Sequence, residues 1–246
     1  MLFTIFPKTI FVPAHAFFSL MKPSFDLNLY LVTDVPARCT LPLAETVEAA
    51  IAGGVSIVQY RSEQPYGGAA YREALPIVEI CRKNGVPFIV NDRIDLALAL
   101  DADGVHIGQR DFPPAIARRI LGPDKIIGFS CSNLEEVRAT DESLVDYLGL
   151  GPVFPTQTKT DAAPAMGLDG LAVCAAATSL PVVAIGGINV GNASAVRAAG
   201  SHIGLAVVSA ICAASDPRRA AESVQGMAPD MAMEVVRAEI YGELTE

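Results

Sequence analysis

The chain has 246 residues, of which 51% are hydrophobic and 18% charged, and a formal net charge of −9. Its length is close to the ~250 residues of one (β/α)8 barrel, and so much apolar material sets wholesale disorder aside. The acidic balance denies a nucleic-acid partner the basic face it needs, and no uninterrupted apolar run of about 18 residues offers a membrane span.

Residues 1–24 contain no acid and are rich in aromatics, with Lys8 and Lys22 among them. Ala14-His15-Ala16 mimics a signal cleavage site, yet Pro7 and Pro13 cut the apolar stretch into pieces too short for a signal core. The expectation is a loose extension, or a start codon placed too early with Met21-Lys22 as the alternative, in preference to a targeting segment. A catalytic barrel domain over residues 25–230 and a tail over residues 231–246 follow. Cys39, Cys81, Cys131, Cys174 and Cys212 are scattered with no CxxC and no clustered His. They read as reduced thiols of a cytoplasmic protein, with no disulfide frame or zinc site.

From Leu29 onward, short β-rich runs alternate with amphipathic stretches. The pattern predicts strands over Leu29–Thr33, Ile57–Tyr60, Phe88–Val90, Gly104–Ile107, Ile126–Ser130, Tyr147–Leu150, Val182–Ile185 and Ile203–Val207. They are short and mostly apolar, as strands buried on both faces should be. Between them, Leu43–Ala52 puts Leu43, Val47 and Ala50/Ile51 on one helical face before the Gly53-Gly54 stop. A second helix is predicted over Ala69–Arg82, stopped by Asn84-Gly85. Pro113-Pro114 suits the first turn of a fourth helix, and Asn133 with Glu136 resembles a capping box opening the fifth. Eight such pairs with no linker favour an α/β fold of the single, closed (β/α)8 (TIM) barrel type over an open sheet. The active site is then expected where the strands end.

The strand ends carry polar, ligand-competent residues. Gln59-Tyr60-Arg61 closes the second strand, and Arg61 can give forked hydrogen bonds to phosphate, or pair at the surface with Glu63. Asn91-Asp92 follows the third strand and Gly108-Gln109-Arg110-Asp111 the fourth. Asp92 and Asp111, on neighbouring strands, could converge on one Mg2+ with phosphate oxygens and water; each is also a candidate helix cap. Ser130 ends the fifth strand as a small hydroxyl donor, and Cys131 beside it has no base nearby in sequence. The sixth leads into Gly151–Asp161, a long polar loop with Thr156, Thr158 and the mobile charge of Lys159. Gly186-Gly187 and Val208-Ser209, after the last two strands, can offer backbone amides to a phosphate. His106, inside the fourth strand, is read as a packed or loop-supporting residue more than an acid–base group.

These strand ends together resemble thiamine phosphate synthase. The resemblance is carried by Leu29–Asp34, Gly85–Asp92, Ala102–Gln109, Gly149–Lys159 and Ala184–Ile188, and spans nearly all of the barrel. The Asn-Asp, Gly-Gln-x-Asp and Pro-Thr-x-Thr-Lys motifs are specific in combination; Gly-Gly-Ile is not. The resemblance implies a Mg2+-dependent transferase that joins hydroxymethylpyrimidine diphosphate to thiazole phosphate and releases pyrophosphate. It implies that Asp92 and Asp111 hold Mg2+. Gln59, Arg61, Asn91, Ser130 and Lys159 would hold the pyrimidine diphosphate, with Lys159, Arg61 and Ser130 closest to the chemistry. Thr156, Thr158, Gly187, Val208 and Ser209 would hold the thiazole phosphate. Two positions depart from the family pattern: Glu63 stands where a lysine is usual, and Ser132 where a histidine is frequent. A thiazole tautomerase and a non-catalytic phosphate-binding barrel are the rival readings. The expected partners are small phosphorylated molecules, with self-association left open.

Overall fold

The computed structural model describes residues 22–64, 66–156, 158, 163–200 and 202–226. Eight parallel strands pair in sequence order and close on themselves. They are β1 (Leu29–Val32), β2 (Ile57–Tyr60), β3 (Phe88–Asn91), β4 (Gly104–Ile107), β5 (Ile126–Cys131), β6 (Tyr147–Leu150), β7 (Val182–Ile185) and β8 (Ile203–Val207). Around them run α1 (Leu43–Ala52), α2 (Gly67–Asn84), α3 (Ile94–Ala99), α4 (Pro114–Leu121), α5 (Leu134–Ala139), α6 (Gly167–Ala175) and α7 (Ala193–Ala198). The single closed (β/α)8 barrel is as expected.

Alternation along each strand sorts the apolar side chains into two cores. Tyr30, Val32, Ile57, Ile89, Ile126, Tyr147, Val183 and Ala206 fill the barrel. Their neighbours, such as Leu31, Val58, Val90, Ile127, Leu148 and Leu205, face the helices. The same period of two carries Gln59, Asn91 and Ser130 onto the inner register, two residues beyond Ile57, Ile89 and Gly128. They therefore rise into the C-terminal mouth.

The helix signals act locally. Asn133 caps α5 by accepting from the Glu136 amide at 2.9 Å, while the Glu136 carboxylate reaches back to the Ser132 amide. Pro114 occupies the first turn of α4, where its missing N–H is no loss. The second helix opens two residues earlier than its periodicity predicts, and ends at Gly85 in a left-handed conformation. The last unit differs from a simple βα pair. A one-turn helix, α8 (Ser209–Cys212), comes first, and α9 (Pro217–Gln225) then packs beside α1 and α8. Asp216 caps α9 through the Arg219 amide at 3.1 Å.

The N-terminal end of the barrel is closed by the chain that leads into β1. Lys22 pairs with Asp146, Leu27 is buried, and the Phe25 ring lies 5.8 Å from that of Tyr147. Residues 1–21, most of the expected extension, and all of the tail expected over residues 231–246 lie outside the described residues.

Candidate active site at the C-terminal mouth of the barrel

Arg61 leaves the end of β2 held by its own backbone. Its amide donates to Thr33 Oγ1 at 3.0 Å, and its carbonyl accepts from the same hydroxyl at 3.3 Å. The surface pairing with Glu63 is present, Nη2 to Oε1 at 3.4 Å. It is not the whole of the environment. Asp34, only 3% exposed, sits 4.0 Å from Arg61 Nη1 and accepts from Arg38 at 3.3 Å. At 4.0 Å the attraction is ionic and no hydrogen bond is made, so Nη1 is buried with no hydrogen-bond partner among the described residues. A buried charged donor in that condition costs at least about 1–3 kcal/mol, which an incoming anionic acceptor would recover.

Asn91 ends β3, and Asp92 follows it with φ 61°, a left-handed conformation that aspartate tolerates better than most residues. The Asp92 amide donates to the His106 carbonyl at 2.8 Å, stitching the end of β3 to β4. Asp111 lies in the β4 loop, where its Oδ2 accepts from the Gly108 amide at 2.7 Å. Neither carboxylate caps a helix. Arg93 and Pro113 occupy the cap positions of α3 and α4, with no side-chain cap bond at either. Asp95, in the first turn of α3, accepts from Arg93 at 2.7 Å, which lowers its pKa. Two carboxylates on neighbouring strand ends are the number Mg2+ commonly takes when phosphate and water fill its remaining positions. Among the described residues no group of three or more His, Cys, Asp or Glu is placed to hold a metal.

Ser130 ends β5 on the inner register, and His106 Nε2 lies 2.8 Å from its Oγ. The expected supporting role of His106 therefore has a definite object. Next to it, burial pushes the Cys131 thiol up to about 11, so it is no nucleophile at neutral pH. Gln109 Nε2 donates to the Ser130 carbonyl at 2.8 Å and ties the β4 loop to β5.

On the opposite side, the β6 and β7 loops lie against each other. The Val153 and Phe154 amides donate to the Ile185 and Gly186 carbonyls at 2.9 and 3.0 Å. Gly187, at φ 67°, approaches so closely that a Cβ there would come within 2.8 Å of the Pro155 carbonyl oxygen. That contact brings Gly187 beside the segment carrying Thr156, whose hydroxyl accepts from the Thr158 amide at 3.2 Å. Val208 and Ser209 form the junction of β8 with α8. Lys159 lies outside the described residues.

Three inward residues were not singled out as site residues from the sequence. Asp34 closes the Leu29–Asp34 motif and flanks Arg61. Tyr30 and Tyr147 lie within two of the expected strands, and their hydroxyls bond each other at 2.8 Å and reach Gln59 and His106, both at 2.9 Å. Two phenols and an imidazole on the inner register of otherwise apolar strands were the available signal.

Residues 29–211 match the model of the family described as thiamine monophosphate synthase. A thiamine-phosphate synthase of Azorhizobium caulinodans is 48% identical over 205 residues, 83% of this chain and 96% of that protein. One of Albidiferax ferrireducens is 50% identical over 191 residues, 78% of this chain and 87% of that protein. Among solved structures, a thiamine phosphate pyrophosphorylase of Pyrococcus furiosus superposes with a TM-score of 0.73 at 38% identity. It covers 82% of this chain and 95% of its own.

Proposed function

The chain belongs to the thiamine monophosphate synthase family, and on that premise we propose how its barrel makes thiamine phosphate. Hydroxymethylpyrimidine diphosphate binds over β2 to β5 and thiazole phosphate over β6 to β8. The thiazole nitrogen attacks the methylene carbon with its own lone pair. The bond from that carbon to the diphosphate ester oxygen breaks, and its electron pair leaves on pyrophosphate. No strong base is needed, which fits a mouth whose one described histidine is occupied with a serine and a tyrosine. The barrier lies in departure of the diphosphate, where positive charge grows on the pyrimidine side and negative charge on the leaving group.

The observation that carries this reading is Arg61. A guanidinium with one buried nitrogen that has no hydrogen-bond partner among the described residues, lying between two carboxylates at the mouth, is prepared for an anion richer in oxygen acceptors than either neighbour. Asn91 and Gln59 share the inner register with it, and Ser130 supplies a hydroxyl. Lys159 would meet the charge that develops as pyrophosphate leaves. Asp92 and Asp111 would hold Mg2+, which when bound supplies charge neutralisation for the diphosphate. Thr156, Thr158, Gly187, Val208 and Ser209 would hold the phosphate of the thiazole. The five free thiols agree with action in a reducing compartment, and among the described residues no helix is long and apolar enough to cross a membrane.

Glu63, the feature that speaks for a non-catalytic barrel, is half-exposed and can turn away from an incoming diphosphate. Purified protein given both substrates and Mg2+ should release pyrophosphate, with no release when either substrate is withheld or the metal is chelated. Absence of release under all conditions would reject the synthase mechanism.

A further inference from the structure

Four hydrogen bonds cross the interior of the barrel in one unbroken line. Gln59 Nε2 donates to Tyr30 Oη at 2.9 Å, Tyr30 Oη meets Tyr147 Oη at 2.8 Å, and Tyr147 Oη meets His106 Nδ1 at 2.9 Å. His106 Nε2 then meets Ser130 Oγ at 2.8 Å. The line joins strands β2, β1, β6, β4 and β5, and begins and ends on a residue of the mouth. Gln59, Tyr30, Tyr147 and His106 are all buried. The space they occupy is left by glycines. A Cβ on Gly128 would come within 2.3 Å of Tyr147 Oη and 2.4 Å of His106 Nδ1, and one on Gly149 within 2.9 Å of His106 Cε1.

The chemistry of each group fixes the direction of the line. Burial raises the pKa of both phenols, so each stays neutral and has a single proton to give. Tyr30 accepts from an amide that can only donate, so its proton passes to Tyr147. Tyr147 in turn has only its own proton left, and gives it to Nδ1. The imidazole must then carry its proton on Nε2 and donate it to Ser130, whose hydroxyl proton is left to point elsewhere.

We propose that Tyr147 is a positioning residue, which fixes His106 as the Nε2–H tautomer and through it turns the Ser130 hydroxyl proton outward, toward an acceptor atom of the pyrimidine diphosphate. The last clause rests on the synthase reading; the tautomer does not. If the amide oxygen of Gln59 faced Tyr30, the whole line would reverse, the proton would sit on Nδ1, and Ser130 would present a lone pair to the mouth. The polarity of one buried amide thus decides whether Ser130 donates or accepts.

The test is nitrogen NMR of the imidazoles at mildly alkaline pH, where an imidazole of ordinary pKa is neutral. The chain has three histidines, so His106 is assigned by replacing His15 and His202. In the unsubstituted, ligand-free protein His106 should show a protonated Nε2 and a bare Nδ1. In Tyr147→Phe the Nδ1 acceptor loses its donor and the pattern should shift toward a mixture of tautomers. The same variant should lower kcat/KM for the pyrimidine diphosphate about tenfold, the effect of one misdirected hydrogen bond, and leave KM for the thiazole phosphate within about twofold. A protonated Nδ1 in the unsubstituted protein overturns the proposal, and does so even if Tyr147→Phe fails to fold. So does a folded Tyr147→Phe protein with an unchanged His106 tautomer. Because the tautomer is read without substrate, a correct tautomer in a protein that releases no pyrophosphate counts against the synthase reading alone.

Discussion

Around the mouth, β2 to β5 and their loops present side chains (Gln59, Arg61, Asn91, Asp111, Ser130), whereas β7 and β8 present backbone at Gly186, Gly187 and Val208. The first half is anchored piece by piece, Gln59 and Ser130 through buried hydrogen bonds and Arg61 beside Asp34. The second half is anchored by chain path. Gly186 and Gly187 both have positive φ and touch the β6 loop where no Cβ fits. A side-chain site can lose one contact and keep its shape, whereas a backbone site changes only when the path changes. A ligand that carries the reacting diphosphate suits the first half; one that needs only to be seated suits the second.

The comparison is challenged most strongly at the proposed metal pair. Asp92→Asn and Asp111→Asn should each reduce turnover on the order of 10²–10³-fold, partly restored by high Mg2+, with the fold intact by circular dichroism. Turnover indifferent both to chelation and to these substitutions would falsify the pair. Lys159→Ala should follow, with kcat falling roughly 100-fold and KM little changed, because the charge it meets develops only in the transition state. An effect confined to KM would make Lys159 a binding contact and nothing more.

On the backbone side, Gly187→Ala introduces a Cβ at a left-handed position with no room for it. It should destabilise the protein on the order of 1–3 kcal/mol and raise KM for the thiazole phosphate about tenfold, read by denaturant melts and steady-state kinetics. Unchanged KM would remove Gly187 from the site. The smallest expected effect is a gain. Glu63→Lys frees Arg61 of its 3.4 Å neighbour and adds a cation beside the diphosphate. KM for the pyrimidine diphosphate should fall by up to about tenfold at low salt and by less at high salt, since Glu63 is half-exposed. Insensitivity at every ionic strength would put Glu63 outside the field of the ligand.

Much of this was legible in the chain alone. Strands such as Val182–Ile185 and Ile203–Val207 are delimited to the residue by their unbroken apolar runs, because burial on both faces leaves no polar position to blur the ends. Gln59, Asn91 and Ser130 could be placed at the mouth because strand order and period fix their height. The relay was illegible for the opposite reason. Tyr30 and Tyr147 are 117 residues apart, and their meeting depends on stagger across a closed barrel, which no local pattern encodes. Asp34 stayed hidden because its partners, Arg38 and Arg61, come from two different loops. The division of the last unit into α8 and α9 escaped because Ser209–Cys212 is a single turn, too short for a periodic signal.

The division of the mouth into a side-chain half and a backbone half is tested most directly by titration calorimetry of each substrate alone against Asp111→Asn and Gly187→Ala. Asp111→Asn should bind the pyrimidine diphosphate with Mg2+ at least about tenfold more weakly and thiazole phosphate normally; Gly187→Ala should do the reverse. If each variant weakened both substrates alike, the two halves would not be separate sites, and the account would be contradicted.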